Sequence, residues 1–159
     1  MKKNRPMSRR DARRHAFHLV FQLPFHGGSS VEILAESKAT YYDLLGDDIE
    51  DFSTLSRPAG RDAEYVDRVS WGVFDRQDEL DQIIEKFLRE WTIDRINKAD
   101  LALMRLSIYE MLCEPDVPLG AAVNEAVELA KEYGSDESPS FINGVLGAVA
   151  RHLAERKES

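Results

Sequence analysis

Residues 118–149 constrain the fold of this chain more than any other stretch, because they read as two helices with both ends marked. Val123, Ala126, Val127 and Ala130 recur at i, i+3, i+4 and i+7, which places them on one face of a helix. Pro118 suits the start of that helix, and Gly134 suits its end as a residue that accepts a left-handed C-cap. Ser138 then offers an N-cap oxygen, with Pro139 at the first position of the next helix. Phe141, Ile142, Val145, Leu146, Val149 and Leu153 form the second apolar stripe. A hairpin punctuated in this way anchors an all-α core.

The same 3.6-residue period runs through the rest of the chain. Ser8 and Asp11 fit a capping box, followed by Ala12, Ala16, Leu19, Val20 and Leu23, with a stop at Pro24. His26–Ser30 reads as a turn, and Val31, Leu34, Ala35, Tyr42 and Leu45 suggest a second helix ending at Gly46. Asp47–Gly60 is acidic and carries Pro58, as a connecting loop would. From Asp62 to about Arg89 the period holds through Val66, Val69, Val73, Leu80, Ile83, Ile84 and Phe87. A single helix there would be about 42 Å long, enough to span two lobes. Trp91, Ile93 and Ile96 form a connector, and Asn97 and Asp100 are placed to cap a helix buried through Leu101, Met104, Ile108 and Leu112. The expected architecture is a bundle of about seven helices in two small subdomains. Residues 1–159 are read as one domain, with 1–7 a flexible basic arm.

Composition narrows the function. No apolar run approaches the ~20 residues of a membrane span, and the basic N-terminus lacks the apolar core of a secretory signal. Cys113 is the single cysteine, which excludes a disulfide framework and gives the cytoplasm as the expected setting. The net charge of −8 conceals a polarity: residues 1–14 hold seven basic side chains against Asp11, a balance of +6, leaving −14 for the remainder. An acidic body repels nucleic acid, so any such contact belongs at the basic end. Helical spacing groups Arg9, Arg10, Arg13 and Arg14 on the first two turns, where positive charge opposes the helix dipole. A solubilising tail is one reading, and a polyanionic partner is the other. Arginine supplies a planar fork for phosphate and a flat face for bases.

Catalytic signatures are missing. The sequence holds no nucleophile elbow, P-loop or dinucleotide fingerprint. His15 and His18 are spaced like a metal pair, but nothing nearby completes a ligand set, so no metal or cofactor is expected. Phe141 admits two readings: a core residue, or an exposed platform on which an unstacked base is worth ~1–3 kcal/mol.

Several stretches together carry a family resemblance. VNEAVELAKEYG followed by SFINGVLGAVA resembles the C-terminal signature of the NusB transcription antitermination family. RRDARRHAFHLVFQ at 9–22, LREWTIDRI at 88–96 and ADLALMRLSIYEML at 99–112 agree in order. The resemblance implies an all-helical, non-enzymatic protein of two subdomains. Such a protein binds single-stranded boxA RNA together with NusE, a small-subunit ribosomal protein, in an antitermination complex on RNA polymerase that supports ribosomal RNA transcription. It further implies RNA contacts at Arg9, Arg10 and Arg13, a bordering role for Glu137, and base stacking on Phe141 of the F-[VI]-N-G motif. The NusE-facing positions fall on Phe21, where a tyrosine is often found, and Asp100, where a glutamate is familiar. The family's third consecutive arginine is Asp11 here, which weakens the local positive field.

A homodimer that buries the RNA surface is a further possibility within the family. A scaffold without RNA contact is one alternative reading. The RNA-binding part of an rRNA methyltransferase is another, although these residues contain no cofactor-binding glycine motif.

Overall fold

The computed structural model describes residues 7–22, 31–46, 57–89 and 92–158. Residues 1–6 of the expected arm, Pro24, the turn at 26–30, most of the acidic loop and Trp91 lie outside them. The described residues form seven α-helices and one 3-10 turn, with no strand among them. They fall into two compact units, Met1–Asp75 and Arg76–Ser159.

The first unit contains α1 (Arg9–Gln22), α2 (Val31–Gly46) and α3 (Gly60–Asp75). Ser8 caps α1 as its sequence predicts: the Asp11 N–H donates to Ser8 Oγ at 3.0 Å, and the Ala12 N–H to Ser8 O at 3.0 Å. α1 packs on α3 and on α2. Ala12, Ala16, Leu19 and Val20 are buried, as are Tyr65, Val66, Val69 and Val73 of α3. The helix α3 begins at Gly60, whose φ of +58° lies in the left-handed region that favours glycine.

The expected continuous helix from Asp62 to Arg89 is divided. Arg76 leaves the helical region at φ −107°, ψ 17°, and α4 starts afresh at Gln77, with the Leu80 N–H donating to Arg76 O at 2.9 Å. Asp78 and Glu79 occupy the first turn of α4, where negative charge suits a helix N-terminus. The apolar period keeps its phase across the interruption through the buried Val73, Leu80 and Ile84, so periodicity alone could not mark it.

The second unit holds α4 (Gln77–Phe87), the 3-10 turn Ile93–Arg95, α5 (Lys98–Cys113), α6 (Leu119–Tyr133) and α7 (Ser138–Glu158). Asn97 caps α5 through its side-chain oxygen, which accepts the Ala99 N–H at 2.8 Å. Every residue from Ala99 to Met111 is buried, the signature of a helix covered all round. α5 packs on α4, α6 and α7. Two polar links fix it: Ser107 Oγ donates to Ala122 O at 3.0 Å, and Arg105 grips Asp81 of α4 through two bonds of 2.7 Å.

The α6–α7 hairpin forms where expected, but its turn works differently. Gly134 is extended (φ −100°, ψ −171°) rather than left-handed. A Cβ there would meet Ser138 Cβ and Oγ at 2.5 Å, so glycine provides clearance and not a special φ. Ser138 lies inside α7, and its Oγ accepts from the Ser135 N–H at 2.9 Å instead of capping a later amide. The first turn of α7 closes on Glu137 O, which accepts the Phe141 N–H at 3.1 Å.

Candidate nucleic-acid interface

Each of the two units carries some of the residues singled out in the sequence. On the first unit, α1 presents its arginines in unequal ways. Arg9 is exposed, and its guanidinium sits 4.0 Å above the ring centroid of Tyr65, a cation–π contact that orients the side chain. Arg10 is half-buried, and Arg13 is buried at 7% exposure. Arg14 pairs with Asp11, so the acid that interrupts the arginine run offsets a charge on its own helix. Tyr65, to which Arg9 is fitted, lies far away in sequence and gave no local signal.

Behind these residues, α1 and α2 share an aromatic cluster. His15 Nδ1 lies 2.6 Å from the Tyr41 hydroxyl, and the His18 ring stacks on Tyr41 with centroids 5.8 Å apart. Burial, with a smaller contribution from His15, lowers the His18 pKa from 6.5 to about 4. Burial and then Asp67 raise the Tyr42 hydroxyl to about 12, although Arg57 acts against them. The two histidines are thus packed against tyrosine. Among the described residues no group of three His, Cys, Asp or Glu side chains could hold a metal ion. Phe21, near the end of α1, is 45% exposed.

On the second unit, Asp100 and Glu137 sit in contrasting environments. Asp100 lies in the first turn of α5 at 6% exposure, where burial raises its pKa and a hydrogen bond with the Ser138 side chain partly opposes the rise. Its Oδ1 has no hydrogen-bond partner among the described residues. Glu137 is exposed in the turn before α7.

Phe141 is half-buried, whereas its neighbours Ile142 and Leu146 are wholly enclosed. It stands beside the core stripe, on the wall of an open groove of about 650 Å³ between the end of α4 and α7. Lys86, Phe87, Arg89 and Arg151 also line this groove, together with Gly144 and Ala148. Among the described residues no acid lines it, on a chain whose net charge is −8. Among the described residues none of the three cations is held in an ion pair. The sequence did carry one trace of it: Phe141, Gly144, Ala148 and Arg151 recur at i, i+3, i+7 and i+10, a helix face distinct from the core stripe.

The sequence profile of the NusB family matches residues 10–151. The chain belongs to the NusB family. The transcription antitermination protein NusB of Acetivibrio thermocellus is 43% identical over 145 residues, which cover 91% of this chain and 90% of that protein. The NusB of Agathobacter rectalis is 36% identical over 144 residues, covering 91% of this chain and all of that protein. A solved structure of the antitermination factors NusB and NusE in complex with double-stranded RNA is similar at a TM-score of 0.69. The match has 24% identity and covers 91% of this chain and 96% of that one, a likeness of fold. NusB proteins are non-enzymatic antitermination factors, which places the chain outside the enzymes. No described helix is long and apolar enough to cross a membrane.

Proposed function

We propose that this NusB-family protein binds single-stranded boxA RNA together with the ribosomal protein NusE, as part of an antitermination complex on RNA polymerase in the cytoplasm that supports ribosomal RNA transcription. The observation that carries the reading is the placement of Phe141: outside the enclosed stripe, on the wall of an open groove, with cations around it. A phenyl face so placed can take one unstacked base, and single-stranded RNA offers such bases without the cost of opening a duplex. Arg9 and Arg10 at the start of α1 supply charge-assisted contacts to phosphate. Arg13, being buried, supports that turn more than it reaches outward. Glu137 borders the base site from the turn before α7 and disfavours a phosphate there. Of the two positions assigned to NusE, Phe21 is the one exposed for contact, whereas Asp100 acts from within the start of α5.

The test is fluorescence anisotropy of a labelled boxA-like RNA, with and without NusE, for the wild type, Arg10→Glu and Phe141→Ala. Binding tightened by NusE and weakened by both substitutions is expected. For Phe141→Ala the loss is ~1–3 kcal/mol, a factor of roughly 5 to 150 in affinity. A duplex of the same sequence should compete poorly. Absent wild-type binding, or indifference to both substitutions, would leave a protein–protein scaffold as the better description.

A further inference from the structure

We infer that the groove between the end of α4 and α7 is a second subsite for the same RNA strand, in which Phe87 offers a further base platform and Lys86, Arg89 and Arg151 take phosphates. The inference rests on the RNA-binding reading and extends it to residues to which that reading gave no role. Its basis is the coincidence of three independent features in one place. The first is charge: among the described residues three cations and no acid line the groove, on a chain of net charge −8.

Helix electrostatics account for only one of these cations. Lys86 lies in the last turn of α4, where a positive charge suits the dipole. Arg89 lies beyond the C-cap Leu88, and Arg151 sits well inside α7, where neither has a capping role. No ion pair with a described residue holds any of the three.

The second feature is aromatic. Phe87 and Phe141 both line the groove, and both are half-buried. The Phe87 ring is steadied by His152, with centroids 5.7 Å apart at 58°. The third is room. The volume of about 650 Å³ is in the range of pockets that hold small ligands, and a Cβ placed on Gly144 would meet nothing within 4 Å. Cations beside phenyl rings in an open trough fit alternating phosphates and unstacked bases. An A-form duplex keeps its bases stacked inside and cannot use the rings. An acidic protein segment satisfies the cations but leaves the rings without a flat partner.

The experiment measures anisotropy of a labelled boxA-like RNA, with and without a short uridine extension at either end, in the presence of NusE and over a range of salt. It compares the wild type with the triple variant Lys86→Gln/Arg89→Gln/Arg151→Gln, with Phe87→Leu, and with Gly144→Leu, which fills the groove without changing charge. Neutralising three phosphates contributes about 2 to the log–log salt slope at ~0.7 each. The triple variant should lose that much slope along with the affinity gained from the extension. Phe87→Leu and Gly144→Leu should lose the gain while keeping most of the slope. Thermal melting should shift by no more than a few degrees in the triple variant, because all three side chains are exposed and only Lys86 has a helix-end role.

Wild-type slope and extension gain in all three variants would overturn the subsite. If Phe141→Ala and Arg10→Glu still weakened binding in that case, the proposed function would stand without it. Competition by polyglutamate as strong as that by RNA, with Phe87→Leu silent, would also overturn the subsite in favour of an acidic protein segment. Wild-type protein that bound no RNA would remove both readings.

Discussion

Replacing Asp81 by Ala should be among the most costly single changes at a polar residue of the second unit. Asp81 accepts both ends of the Arg105 fork, Nε to Oδ1 and Nη2 to Oδ2, each at 2.7 Å. The Arg105 side chain is 7% exposed and that of Asp81 23%. Removing one member of a buried pair deprives the other charge of its main partner, at about 3–5 kcal/mol when both are enclosed. Partial exposure of Asp81 lets water reach the fork, which lowers the expected loss to ~2–3 kcal/mol. For a chain of this length, roughly 2–4 °C per kcal/mol translates that into a fall of about 5–10 °C in Tm. Far-ultraviolet circular dichroism on heating reads this directly. The exposed pair Lys131–Glu128 provides the control, since Lys131→Ala should cost only ~0.3–0.5 kcal/mol. The double change Asp81→Leu/Arg105→Met should recover most of the loss, because an apolar pair carries no desolvation penalty. A Tm for Asp81→Ala within about 1 °C of wild type would refute the reasoning. It would mean that Arg105 finds equivalent partners without α4.

Two glycines test opposite effects. Gly134→Ala forces a methyl against Ser138 and should destabilise by about 1–3 kcal/mol. Gly144→Ala, in open space within α7, should stabilise by ~0.5–1 kcal/mol, and urea titrations would read both signs. The lowered pKa of His18 sets a pH dependence: the folded state favours the neutral ring, so stability is full above pH 6.5 and falls as pH drops towards about 4. Discounted for the solvent that reaches this half-buried ring, the loss is on the order of 1–2 kcal/mol. Urea unfolding across that window should show it in wild type and a flatter profile in His18→Phe.

The sequence is most informative where local chemistry decides the outcome. Ser8, Asn97 and the Pro118–Gly134 span all mark real helix limits, because capping and backbone propensity act over a few residues. It is least informative where a residue's role depends on a neighbour distant in sequence. The interruption at Arg76 carries no glycine or proline and keeps the apolar phase, so nothing local distinguishes two helices from one. Gly134 was correctly placed at a helix end, but for a clearance that only the position of Ser138 explains.

The candidate interface divides in the same way. The arginine run and Phe141 were singled out in the sequence because they stand in compact motifs, although the residues alone left Phe141 open between core and platform. The perch of Arg9 on Tyr65 requires α3 beside α1, and the grouping of Lys86, Phe87 and Arg89 with Arg151 requires α4 beside α7. The burial of Arg13 and Asp100 is likewise a property of packing. Both residue types are ordinarily exposed, and no sequence pattern distinguished them from their neighbours.

The most direct measurement is ultraviolet crosslinking of a boxA-like RNA to the protein–NusE complex, with the attachment sites located by mass spectrometry. Adducts are expected at Phe141 and in the first turns of α1 around Arg9 and Arg10, lost when unlabelled RNA competes. Adducts confined to other faces of either unit, or to NusE alone, would contradict that placement.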